Sequence, residues 1–197
     1  MTKKIVFLAL HLSYGGTERA IISEANMLVK RYEVEIISFY HLCDKPAFEV
    51  DPRVKITYLT EGLKPNRDEI KNAIKSKRPL QLLKECSKSI KILYLRTTSM
   101  KKAIKKSNGD VLISTRYLYH KLVTENAKDG VVCIAQEHNH HNNNEEYIKK
   151  QIESVKQMDY FMPVSQELTD FYADRLSETT VKCKYIPHSL DYIPEKV

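Results

Sequence analysis

A chain of 197 residues with 42% hydrophobic and 29% charged residues has the size and balance of one large globular domain; it is too well mixed for a disordered polymer and too short for two full domains. No apolar run approaches the roughly 18 residues of a membrane-spanning helix, and the four cysteines, Cys43, Cys86, Cys133 and Cys183, are too scattered for a CxxC pair and read as reduced thiols of a cytosolic protein. The formal charge is +7, yet residues 61–108 alone hold 14 Lys/Arg against 4 Asp/Glu, a local +10 that leaves −3 for the rest.

The first apolar run, Ile5 to Leu10, is ended by His11 and followed by no small-x-small cleavage site, so it reads as a buried strand and not as a signal peptide. Strands are predicted at 4–10, 34–40, 54–59, 110–115, 131–136, 160–164 and 183–186. Several are nearly continuous in Val, Ile and Leu, as strands covered on both faces must be. Helices are predicted at 17–31, in two segments within 66–106, and at 117–127, 145–158 and 166–176. This alternation predicts an α/β fold: an open, doubly wound, mostly parallel sheet with helices on both faces.

Within the basic segment, Pro79 suits the first turn of a helix, and Leu83, Cys86, Ile90, Leu93, Met100 and Ile104 recur at three- and four-residue steps, with Thr97 in the one polar place. Lysines fill much of the opposite face. The pattern fits a helix packed on the sheet with a solvated back, or one that leans on an anionic membrane surface.

Two loops carry candidate chemistry. Between the first strand and first helix lies His11-Leu12-Ser13-Tyr14-Gly15-Gly16-Thr17-Glu18-Arg19. Adjacent glycines permit a tight turn or a close backbone approach, and the N–H groups of a helix start favour a phosphate. Glu18 is expected to point away from such an anion and Arg19 to help neutralise it. A mere tight turn uses the same residues. The absence of GxGxxG and GxxxxGK[ST] argues against nicotinamide, flavin and P-loop nucleotide sites. The second loop, Glu137-His138-Asn139-His140-His141-Asn142-Asn143-Asn144-Glu145, directly follows a buried strand. By residue type alone it suits a transition metal at Glu137, His138, His140 and His141, though without HExxH spacing, or a solvated loop before a helix capped near Asn144. Arg116, Tyr117 and Tyr119 follow the fourth strand and face the same edge, where they suit contact with an acceptor or simply the start of a surface helix. Ser165 ends a strand without the GxSxG elbow of a serine hydrolase.

Four segments in order resemble retaining glycosyltransferases of the GT-B architecture, in particular glycosyltransferase family 4: Gly15-Gly16-Thr17-Glu18 opening a long helix; Ile134-Ala135-Gln136-Glu137-His138-Asn139; Pro163-Val164-Ser165-Gln166-Glu167-Leu168; and Lys184-Tyr185-Ile186-Pro187-His188-Ser189-Leu190-Asp191. The resemblance spans essentially the whole chain and implies a Rossmann-like GT-B N-terminal, acceptor-side domain over 1–187, with 188–197 beginning a linker to a C-terminal donor-binding domain beyond this chain. The implied activity of the whole is hexosyl transfer from a nucleotide-sugar substrate to a saccharide, lipid-linked or polymer acceptor, in cell-envelope or extracellular polysaccharide synthesis. No metal or cofactor is expected, and this half alone is expected to be inactive. The resemblance places His138 at the reacting sugar and Gly15 and Gly16 at the donor diphosphate, with His11, Arg19, Arg116, Tyr117 and Ser165 as accessory or acceptor candidates. His188 and Ser189 depart from the family's Asn and Gly. The implied location is cytoplasmic, peripheral at the inner membrane face through residues 61–108. A competing reading is a self-contained binding or regulatory domain with its basic face on an anionic partner; no nucleic-acid motif supports nucleic acid as that partner.

Overall fold

The computed structural model describes residues 2–187; the expected linker at 188–197, with His188 and Ser189, lies outside the described residues. In chain order the elements are β1 (Lys4–Ala9), α1 (Gly16–Leu28), β2 (Glu33–Tyr40), β3 (Lys55–Thr60), α2 (Arg67–Lys75), α3 (Pro79–Lys106), β4 (Val111–Ser114), α4 (Tyr117–Asn126), β5 (Val132–Glu137), α5 (Glu145–Val155), β6 (Tyr160–Pro163), α6 (Gln166–Arg175) and β7 (Lys182–Cys183). All seven strands pair in parallel, in the order β3-β2-β1-β4-β5-β6-β7. The open, doubly wound α/β sheet expected from the alternation is therefore present.

Every residue of β1 is buried, because helices cover both of its faces. On one face Phe7, Ala9 and Ile36 pack against Ile21, Ile22 and Ala25 of α1. On the other, Val6, Leu8, Leu112 and Phe161 meet Met100 and Ile104 of α3, Tyr119 and Val123 of α4, Ile148 and Val155 of α5, and Leu168 and Tyr172 of α6. Burying one such side chain is worth about 1.5–3 kcal/mol, so these continuous apolar strands fix the register of the whole layer.

Two expectations are corrected. The edge strand β7 has two residues where 183–186 was expected. Lys184 N–H still bonds the Phe161 carbonyl at 2.9 Å, and the chain then leaves an edge that only β6 holds. The second concerns α3, whose apolar series does not form one buried stripe: Met100 and Ile104 are buried, whereas Leu83, Ile90 and Leu93 are 70%, 68% and 50% exposed and Cys86 is exposed. A seven-residue repeat drifts by ~20° per heptad on a straight helix, about 60° between Leu83 and Ile104, so the split follows from what each half of the helix packs on and not from its periodicity. At 28 residues and 1.5 Å per residue, α3 is also ~42 Å long, longer than the strands beneath it. Most of its first half is exposed and packs against α2, with Ile92 the first of its side chains to enter the core. There Asn66 clips the hairpin, donating to the Glu85 carbonyl at 2.8 Å and carboxylate at 2.9 Å and accepting from Ser89 Oγ at 2.8 Å.

Candidate active site

Strand order reverses between β1 and β4, and in such sheets ligands sit beyond the carboxyl ends of the strands at that switch point. The glycine loop follows β1, Arg116 follows β4, and His138 follows β5, so three adjacent strands present their candidates at one edge. A cavity of about 180 Å³ opens there, lined by Leu10, Arg96, Arg116, Tyr119, Glu137 and Tyr147 among others. A larger groove of about 910 Å³ runs between α4 and α5; lysines and glutamates of those helices line it, with pairs such as Lys150–Glu146 and Lys121–Glu125 meeting in salt bridges, and it holds none of the loop candidates except Tyr117.

Gly15 lies in extended backbone, φ 168°, ψ 156°, so no left-handed turn requires it. Close approach does: a Cβ at Gly15 would collide with the Glu18 carboxylate. Gly16 opens α1 with free space over its Cβ direction. Glu18 thus corrects an expectation, since it folds back over the loop and is only 4% exposed. Arg116 Nη2 at 3.5 Å and His11 Nδ1 at 3.6 Å hold it there. Arg19, expected to supply the positive charge, is exposed. Burial lowers the His11 pKa, helped by the nearby Arg116 charge and opposed by Glu18; Ser13 Oγ sits 2.9 Å from His11 Nδ1.

The histidine loop separates by role. His140 faces solvent, its Nδ1 accepting from Asn142 N–H at 2.9 Å. His141 is buried against Phe171, centroids 4.4 Å apart, and accepts from Asn143 N–H. Asn142 and Asn143 adopt positive φ, which asparagine tolerates better than most residues, and Asn144 caps α5 by accepting from Tyr147 N–H at 2.9 Å. Among the described residues no three His, Cys, Asp or Glu side chains converge to hold a metal ion. His138, the residue after β5, lies close enough to His120 for its charge to depress the His120 pKa. Burial is the larger cause, and together they bring His120 to about 3, a neutral imidazole. Ser114 Oγ contacts His120 Nδ1 at 2.6 Å. Ser165 caps α6, accepting from Leu168 N–H at 3.2 Å, and Tyr117 is part-exposed in the first turn of α4.

Two residues at this edge, His120 and Arg96, carry no sequence signal of their own, and Glu137 carries one only as a member of the polar loop. Glu137 is buried, which pushes its pKa up, while Tyr147 Oη donates to it at 2.6 Å and Asn139 N–H at 2.8 Å. His120 lies mid-helix, where an isolated histidine reads as packing. Arg96 is one cation among the 14 of the basic segment.

No family profile matches the chain. It is 29% identical over 131 residues, 63% of this chain and 14% of the relative, to the exopolysaccharide phosphotransferase SCO2592 of Streptomyces coelicolor. It is 30% identical over 111 residues, 56% of this chain and 25% of the relative, to the GalNAc-alpha-(1->4)-GalNAc-alpha-(1->3)-diNAcBac-PP-undecaprenol alpha-1,4-N-acetyl-D-galactosaminyltransferase of Campylobacter jejuni. The chain thus spans a quarter or less of the length of these curated relatives. Among solved structures, a sucrose-phosphate synthase chain from Thermosynechococcus elongatus superposes with a TM-score of 0.57 at 12% identity, covering 96% of this chain and 91% of that one. TcCGT1 in complex with UDP superposes with a TM-score of 0.57 at 10% identity, covering 100% of this chain and 53% of that one.

The fold is the Rossmann-like, all-parallel α/β fold of GT-B glycosyltransferases. The glycine loop after β1 and His138 after β5 lie at the same edge of the sheet, and Glu18 bridges the loop to Arg116.

Proposed function

We propose that this GT-B domain forms the acceptor side of a retaining hexosyl transfer from a nucleotide sugar to an acceptor hydroxyl, in the building of cell-envelope or extracellular polysaccharide. One observation supports the reading: the glycine loop, Arg116 and His138 each follow one of three adjacent parallel strands, β1, β4 and β5, at the edge of the β1/β4 switch point. In this reading the N–H groups at the start of α1 face the donor diphosphate, and His138 stabilises charge at the reacting sugar. The acceptor oxygen bonds to the anomeric carbon, the nucleoside diphosphate leaves with the electron pair, and the acceptor proton passes to a base or to the departing phosphate. The rest of donor recognition belongs to a second domain of the GT-B pair. The Campylobacter relative is named for sugar transfer onto a lipid diphosphate-linked saccharide and TcCGT1 was solved with UDP, which supports this choice.

The test is amide NMR of the chain titrated with UDP- and GDP-sugars and with a short oligonucleotide, at low and moderate salt. Shifts at Gly15, Gly16 and His138 with one sugar nucleotide are expected. Tight, salt-sensitive oligonucleotide binding with no sugar-nucleotide response would sink the reading in favour of a basic binding domain. Because the Streptomyces relative is named a phosphotransferase, the released nucleotide is decisive in turnover assays of the enzyme. Sugar transfer from a UDP-sugar releases UDP, and sugar-phosphate transfer releases UMP.

The same reading places the domain on an anionic membrane surface at the cytoplasmic face. No helix among the described residues is long and apolar enough to cross a membrane, but the α2–α3 hairpin exposes Ile74, Leu80, Leu83, Ile90 and Tyr94 amid its lysines. Apolar side chains that enter the acyl boundary, ringed by cations that meet lipid phosphates, suit an interfacial helix. Sedimentation with phosphatidylglycerol vesicles is expected to bring down the chain but not its Leu83→Ser/Ile90→Ser variant. Equal recovery of both rules the surface out.

A further inference from the structure

The cavity over the switch point gathers more hydrogen-bond donors than the transfer described above uses. At about 180 Å³ it is smaller than the ~300–1,000 Å³ that encloses a drug-sized ligand, so it takes one chemical group and not a nucleotide sugar. Arg96 enters it from α3 and Arg116 from the end of β4. Each keeps its Nε buried with no hydrogen-bond partner, and the hydroxyl of Tyr119, a residue only 1% exposed in the same lining, is likewise unpartnered. Buried donors left unpaired cost about 1–3 kcal/mol each, more when charged, and native proteins keep few of them. Three in one small cavity mark the place of an anion.

The backbone adds to this. Arg116 caps α4 with no side-chain hydrogen bond, and its carbonyl accepts from Tyr119 and His120. The N–H groups of Tyr117 and Leu118, also in the lining, stand at the positive end of that helix. Glu137, the one carboxylate in the lining, has its oxygens engaged by Tyr147 and Asn139. Among the described residues no carboxylate forms an ion pair with Arg96, and Arg116 has only the 3.5 Å contact to Glu18.

We propose that this cavity is a phosphate subsite for the acceptor, in which Arg96, Arg116, the Tyr119 hydroxyl and the first-turn N–H groups of α4 hold a phosphate joined to the acceptor saccharide. The proposal rests on the sugar-transfer reading. It assigns the donor diphosphate to the glycine loop and this second anion to the acceptor, because α3 supplies both Arg96 and the exposed hairpin. Thirteen residues separate Arg96 from Leu83, about 20 Å of helix. A phosphate-linked acceptor held at Arg96 therefore lies at the root of the element that faces the lipid.

The test is a titration of the chain with inorganic pyrophosphate, followed through the arginine Nε–Hε NMR signals. The signals of Arg96 and Arg116 are expected to shift. Arg96→Gln and Tyr119→Phe should each weaken binding, Arg96→Gln by about tenfold or more, the size of a lost charge-assisted hydrogen bond. Lys101→Gln, an exposed cation on the same helix, should bind as the parent does. Unchanged affinity in a folded Arg96→Gln variant, or an equal loss in Lys101→Gln, overturns the subsite in favour of diffuse attraction to a basic face. A parallel titration with UDP separates the two readings. Shifts at Gly15 and Gly16 with UDP but none at Arg96 with pyrophosphate leave the transfer reading standing and remove this one. Shifts at Arg96 with pyrophosphate and none anywhere with UDP leave an anion site in this cavity but remove its assignment to the acceptor of a sugar transfer. Geranyl diphosphate binding more tightly than glucose 1-phosphate assigns the phosphate to a lipid-linked acceptor, and the opposite order to a soluble sugar phosphate.

Discussion

The two ends of the strands handle buried charge in opposite ways. At the amino ends, Lys4 lies between Glu33 at 3.0 Å and Glu35 at 2.8 Å, Lys55 reaches Glu35 at 3.2 Å, and Asp110 accepts the Lys4 backbone N–H at 2.7 Å. Charge there is matched by charge, and Thr57 Oγ1 adds a further bond to Glu35 at 2.7 Å. At the carboxyl ends, Arg96, Arg116 and Tyr119 keep buried donors that no protein group accepts. The first arrangement holds the sheet together; the second leaves hydrogen-bonding capacity for a ligand. Substitutions at the two ends should therefore act on different measurements.

The largest expected effect is at the amino end. Lys4→Met removes the buried partner of Glu35, whose side chain is 10% exposed, and leaves it only the exposed Lys55 and the Thr57 hydroxyl; breaking a buried pair from one side costs about 3 kcal/mol. Chemical denaturation should show that loss while the shifts caused by sugar nucleotides persist; loss of both would erase the contrast. Next comes His138→Ala, expected to lower kcat/KM of the enzyme about 100-fold with a thermal midpoint close to the parent's. A fall in stability with kcat/KM intact would make His138 a packing residue.

Gly15→Ala should cost less, about 1 kcal/mol, because the new Cβ must displace the Glu18 carboxylate. Its informative readout is the Arg116 Nε signal, expected to move as Glu18 swings away; a stationary signal would sever the proposed link between the loop and Arg116. The finest contrast is in pH. Burial works against the Glu35 carboxylate, but hydrogen bonds from Lys4, Thr57 and Lys55 outweigh it and hold its pKa below 4.5. A depressed folded-state pKa contributes stability that is present above 4.5 and lost as pH falls through the folded value. Unfolding followed from pH 6 down to about pH 3 should show a smaller acid loss in Glu35→Gln than in the parent. Identical slopes would remove Glu35 from the acid response.

Much of this arrangement is legible in local pattern. Apolar runs such as Val6 to Ala9 and Glu-free stretches such as Val132 to Ala135 announce strands covered on both faces. Asn144 announces a cap, and a glycine pair after the first strand announces a close approach. These features act over three or four residues, the range across which sequence directly controls backbone conformation and side-chain face.

The rest depends on groups distant in sequence. The position of Glu18 is set by Arg116, almost a hundred residues on, and the neutral state of His120 by its burial and by His138. Arg96 looks like any lysine-rich-face cation until the fold brings it into one cavity with Arg116 and Tyr119, and the apolar series from Leu83 to Ile104 reads as one stripe until only its later members meet the core. Sequence by itself determined the parallel α/β layer and the edge to which the loops belong, because periodic burial and chain alternation are local properties. Tertiary structure alone decided which charges are matched and which donors remain for a ligand, because Coulomb and hydrogen-bond partners are chosen by distance in space.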